Sequence, residues 1–112
     1  MTFWAGPVND GVFSTKRMAV TSYVGNGTSS RNITLALNGS TPVFAIVVPT
    51  TATAKVYRVT GDTTGRKTID GSALANSLTA MGTNQITIGT ALNASGVTYD
   101  VWTITTGTVA PY

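Results

Sequence analysis

The chain contains no cysteine, no histidine and no glutamate. Without thiols there is no disulfide framework, no thiolate metal site and no cysteine nucleophile. Without imidazole there is no histidine general base and no Ser-His-Asp triad. Its acidic side chains are four aspartates, Asp10, Asp62, Asp70 and Asp100, each beside a glycine or on a predicted turn or strand face. A two-carboxylate glycosidase needs its pair about 5 to 9.5 Å apart in a cleft. These four read instead as turn residues and solvated carboxylates, and the chain as no enzyme, with no catalytic or metal-binding residues and no cofactor.

Charge is scarce as well, at 10% of residues. The seven cations, Lys16, Arg17, Arg31, Lys55, Arg58, Arg66 and Lys67, give a net charge of +3 and adjoin only at 16–17 and 66–67. That scatter falls short of the basic stripe of a nucleic-acid binder. No apolar run approaches the roughly 20 residues of a membrane-spanning helix. Neither nucleic acid nor membrane is expected as a partner. Residues 1–7 lack the basic start and apolar stretch of a secretory signal, so the expectation is synthesis and assembly in a cytoplasm.

What the chain has in quantity is threonine, at 22 residues, and glycine, at 12. Threonine is β-branched and hydrogen-bonding, which suits strand surfaces that meet water. With 112 residues and 42% hydrophobic content the chain can furnish one small core. The longest apolar run, Pro42-Val43-Phe44-Ala45-Ile46-Val47-Val48-Pro49, is short, β-branched and closed by proline at both ends. It reads as a strand buried on both faces. The expected class is all-β: one antiparallel β-sandwich, jelly-roll or immunoglobulin-like, of about seven strands.

Period-2 patterns place the other strands. From Arg17, Met18, Val20 and Val24 share a face with Ser22, and Arg17, Ala19, Thr21 and Tyr23 share the other, a half-buried strand. Gly25-Asn26-Gly27 turns the chain. Ile33, Leu35 and Leu37 then lie on one side of a strand that ends at Asn38-Gly39-Ser40. Lys55–Thr60 reads as a further strand, Arg66–Gly71 as a short edge strand guarded by charge, and Gln85–Gly89 as another. Along Val97–Thr106, Val97, Tyr99 and Val101 oppose Thr98, Asp100, Trp102 and Ile104, and Trp102 is expected in the core. Ser72–Leu78, with Ser72 at a cap position and Leu74 and Leu78 four apart, is the one helical prospect.

Residues 1–112 are expected as a single domain, with residues 1–15 as its N-terminal arm and 107–112 as its C-terminal tail. Phe3, Trp4, Phe13, Val109 and Tyr112 are the candidate interface residues, because aromatic and apolar anchors dominate association energetics. Packing of these aromatics onto the chain's own sandwich is the other reading. The loop Gly61–Thr68 offers Asp62, Arg66 and Lys67 as an exposed candidate site. Three residues rather than four separate its glycines, and Arg66 precedes Lys67-Thr68, so it is no phosphate-binding loop. One carboxylate is too few for a calcium cage.

Tyr23-Val24-Gly25-Asn26-Gly27-Thr28, Arg31 before Ile33-Thr34, Thr41-Pro42, Val56-Tyr57-Arg58, Ile86-Thr87-Ile88-Gly89 and Asn93-Ala94-Ser95-Gly96-Val97-Thr98-Tyr99 with Trp102 follow in a distinctive order. In that order the chain resembles a small β-sandwich domain, of unassigned function, that recurs in structural proteins of tailed bacteriophages. The likeness spans Ala19 to Thr106. It implies a virion structural protein, and the small disulfide-free chain with apolar ends suits a head decoration or cement protein on the outer capsid surface. The expected partners are then the major capsid protein or other virion proteins and further copies of itself, such as a trimer, and the expected location is the virion. The alternative is a receptor- or carbohydrate-binding module of a tail or fibre, meeting a host surface glycan.

Overall fold

The computed structural model describes residues 13–51 and 54–109. Among them are nine strands: β1 (Phe13–Val24), β2 (Ser30–Thr34), β3 (Pro42–Pro49), β4 (Val56–Val59), β5 (Gly65–Lys67), β6 (Ala73–Leu74), β7 (Leu78–Gly82), β8 (Gln85–Gly89) and β9 (Thr98–Val109). A 3-10 turn at Thr90–Leu92 links the last two. All pairings are antiparallel. A six-stranded sheet runs β1-β9-β3-β4-β5-β6 and a three-stranded one runs β2-β8-β7, the two layers of a β-sandwich.

The core lies between the layers. The large sheet contributes Tyr23, Ala45, Val47, Val56, Tyr99 and Val101, and the small one Ile33, Leu78, Ile86 and Ile88. Leu35, Leu37 and Leu92 close the space from connecting segments. The alternation read in Ile33, Leu35 and Leu37 holds, since all three are buried between exposed neighbours. Asn38 and Gly39 both adopt positive φ, 53° and 83°, the geometry of a tight reversal that Asn-Gly favours. The Asn84 side chain fastens this turn by accepting the Gly39 N–H at 2.8 Å.

Three expectations are corrected. Ser72–Leu78 is not helical: it forms β6, a turn with Asn76 at φ 57°, and the start of β7. The Ser72 hydroxyl donates to Asp70 at 2.7 Å instead of capping a helix, and Leu78 is buried opposite Ile88 in the β7–β8 ladder. Residues 65–67 are not an edge, because β6 pairs outside them. At its far end the β1–β9 ladder pairs Phe13–Thr15 with Gly107–Val109.

The last correction concerns β3 and Trp102. Ala45 and Val47 are fully buried, but Phe44, Ile46 and Val48 on the opposite face of β3 are only half-buried. Trp102, expected in the core, sits on that same face at 43% exposure. The small sheet covers one side of the large sheet only.

Candidate functional site

The face of the large sheet that no described layer covers can be read row by row from strand register. Val20, Trp102, Ile46 and Tyr57 form one row, continued by Arg66 on β5. Met18, Ile104, Phe44 and Val59 form the next. On the other side of the first lie Ser22, Asp100 and Val48, then Val24 and Thr98. Four adjacent strands therefore present apolar side chains outward, with Met18 at 68% and Val20 at 55% exposure. From strand spacing and rise, the apolar area is roughly 300 Å² in plan. That is the size of the largest apolar patch an ordinary monomer exposes, and such patches are often functional.

The face is stiff where it matters. The Phe44 and Tyr57 rings stack with centroids 6.3 Å apart. Directly beneath lies the close-packed core layer of Ala45, Val47 and Val101, so this surface is held as a fixed plane. A preorganised apolar plane of this kind binds another protein surface with little ordering cost.

At one end of the sandwich the segments around Asn26, Arg31 and Tyr99 meet at Asn93, which is wholly buried. Its Oδ1 accepts the Asn26 N–H at 3.1 Å and Arg31 Nη1 at 3.3 Å. Its Nδ2 donates to Asn26 Oδ1 at 2.8 Å, to the Thr28 carbonyl at 3.1 Å and to Thr28 Oγ1 at 3.0 Å. Below this network Tyr23 and Tyr99 stack at 5.0 Å, with the Arg31 guanidinium 5.6 Å from the Tyr23 ring centre. The Tyr23 hydroxyl donates to the Leu92 carbonyl at 2.7 Å, and Ala94 N–H donates to the Tyr99 hydroxyl at 2.9 Å. Burial, reinforced by Tyr99, pushes the Tyr23 phenol far above its ordinary value. Gly25 completes the junction, since a Cβ there would collide with the Ala94 carbonyl. These groups satisfy one another, so the cluster is a lock between the β1–β2 and β9 approaches; a fully paired polar network of this kind specifies one arrangement.

The loop candidates are drawn together in part. Arg66 Nε donates to Asp62 Oδ2 at 2.7 Å and Nη2 to Oδ1 at 3.3 Å, a two-pronged ion pair. Arg66 Nη1 also donates to the Gly71 carbonyl at 3.2 Å. The Arg66 hydrogen bonds, ahead of the Thr63 N–H, hold the Asp62 carboxyl below the usual carboxylate range. Lys67, next along β5, projects to the opposite face. The charges of Asp62 and Arg66 are thus spent on the loop's own closure. Phe3, Trp4 and Tyr112 lie outside the described residues, as do the side chains of Phe13 and Val109.

A pocket of about 80 Å³ lies among Met18, Ala19, Ala36, Leu37 and Thr105, well below the ~300 Å³ at which small-molecule sites begin. Among the described residues no three acidic side chains gather to hold a metal ion. The exposed sheet face was missed in the sequence because its residues are as apolar as those of the core. No protein-family model, curated protein or solved structure matches the chain.

Proposed function

We propose that this chain is a structural subunit of a bacteriophage virion, a head decoration or cement protein that binds the outer capsid surface and stabilises the shell. The observation that carries the docking role is the continuous apolar outer face of the large sheet. The likeness read in the Tyr23–Thr28 and Asn93–Tyr99 segments supplies the virion. In this reading the face of Met18, Val20, Trp102, Phe44 and Val59 lies against shell subunits, and the chain performs no catalysis. Repetition over many equivalent shell positions multiplies a modest contact.

The exposed Trp102, with Tyr57 and Asp100 on the same face, favours a second reading as a receptor- or glycan-binding module of a tail. Its surroundings of Val20, Ile46 and Ile104 are aliphatic, and a sugar needs convergent polar partners beside an aromatic ring. We therefore place it second. The deciding experiment is copy number and position in purified virions, by quantitative protein analysis and an electron-microscopy reconstruction. Many copies on the head with the outer sheet face against the shell are expected. A few copies at the tail would replace this reading with the second, and absence from particles would overturn both.

A further inference from the structure

The two edges of the large sheet are unlike. β6 is two residues long, which blunts its edge, whereas β1 runs for twelve. The register of β1 on β9 is unbroken from Phe13 to Val24, without a bulge, and β1 has no proline. Short length, bulges, proline and cover are the protections that natural edges use. Among the described residues β1 has none of these, and its sequence offers only Lys16 and Arg17 near its start.

The polarity of its backbone follows from neighbouring hydrogen bonds. Gly25 N–H donates to the Val97 carbonyl at 2.8 Å, one step past the Val24–Thr98 pair. Bonded pairs alternate along an antiparallel ladder. The odd-numbered residues of β1 therefore bond β9, and the even-numbered ones direct N–H and C=O away from it. Thr50 N–H on Thr98 O at 3.0 Å gives the matching parity on the other side of β9. The outward carbonyl of Val24 is taken by Arg31 Nη1 at 2.7 Å. Among the described residues nothing takes the outward groups of Ser14, Lys16, Met18, Val20 and Ser22. Likewise, among the cations whose side chains are described none reaches the carboxylate of Asp100, which stands beside Ser22 on the outer face.

We infer that β1 pairs antiparallel with β1 of a second copy, about a two-fold axis at Ala19, joining the two large sheets into one. In that register Met18 stands opposite Val20 of the second copy, and Lys16 opposite its Ser22. Each Asp100 then has a lysine of the other copy one strand away, while the two Lys16-Arg17 pairs lie at opposite ends of the seam. An axis at Met18 would put Ser14 opposite Ser22 and leave Asp100 without a cation, so charge selects the register. The seam forms about eight backbone hydrogen bonds. It also merges the two apolar faces into roughly 600 Å² in plan, approaching the ~800 Å² per partner of a standard interface. The inference does not depend on the virion reading.

The test uses the full chain. Sedimentation velocity over a wide concentration range is expected to give a dimer. In Val20→Pro the lost N–H faces the free edge and no β9 bond is removed, so the variant should keep its circular-dichroism spectrum and sediment at half the mass. Ala19→Cys introduces the sole thiol. Opposed residues at a non-hydrogen-bonded position have Cα atoms about 4.5 Å apart, within disulfide range, so oxidation should give a disulfide-linked dimer. A wild type that stays monomeric, a Val20→Pro protein that stays dimeric, or an Ala19→Cys protein that does not cross-link would each overturn the proposal. Should Val20→Pro fail to fold, the cross-link still decides.

Discussion

The two faces of the large sheet are built from alternate residues of the same strands, yet they live in different solvents. Tyr99 and Val101 are buried against the small sheet, while their neighbour Trp102 projects into water with Val20 and Ile46 beside it. Apolar character is similar on both sides. What differs is cover: three strands can roof one side of a six-stranded sheet and have nothing left for the other. An apolar residue therefore stabilises the fold only where another layer reaches it, and elsewhere it is available to a partner.

The sharpest way to break this comparison is to truncate an aromatic on each face. Tyr99→Ala removes the ring stacked on Tyr23 and the hydroxyl bonded to Ala94, and should cost about 3–5 kcal/mol in denaturant unfolding, as for other buried aromatics. Trp102→Ala removes a larger side chain and should cost under ~1 kcal/mol in the monomer, because its surface already meets water. Equal losses would mean that the outer face is covered within the chain itself, and the docking role would fall.

Polar burial sharpens the same contrast. Asn93→Ala should cost about 2–3 kcal/mol, since Asn26, Thr28 and Arg31 lose partners at a site closed to water. Thermal unfolding of the variant checks it, and a melting temperature within a degree of wild type would show the lock to be dispensable.

The smallest effect belongs to the exposed end of the sheet. Asp62 is held charged by Arg66, so its folded carboxyl titrates below the unfolded one. Its contribution is present above the unfolded value of about 3.9 and is lost as pH falls through the lowered folded value. The melting temperatures of wild type and Asp62→Asn should differ slightly at neutral pH and converge in acid below about pH 4. A gap that widens in acid would contradict the ion pair.

Much of the sandwich was legible before its coordinates. Proline-bounded β3, the alternation of Ile33, Leu35 and Leu37, and the turn at Asn38-Gly39 all appear where local chemistry puts them, whereas residues 25–27 join strands of different sheets instead of closing a hairpin. The misreadings share a cause. Leu74 and Leu78 are spaced for a helix, but β-ladder pairing of Leu78 with Ile88 and the left-handed Asn76 override that spacing. β7 went unread because Thr79-Ala80 offer no apolar alternation, although Thr83-Asn84 before Gln85–Gly89 is a hairpin signal. The sequence around Asn93 gave no sign that it would be buried, because its partners are more than sixty positions away.

The sequence by itself determined the class, since threonine, glycine turns and period-2 patterns are local preferences that each segment expresses alone. It also excluded histidine, cysteine and glutamate chemistry outright. Tertiary structure alone decided which apolar face is core and which is surface. Period-2 alternation shows that a strand has two sides, but the choice between them depends on where a second sheet lands. In β1 that choice turned Ala19, Thr21 and Tyr23 inward and left the more apolar Met18, Val20 and Val24 facing water.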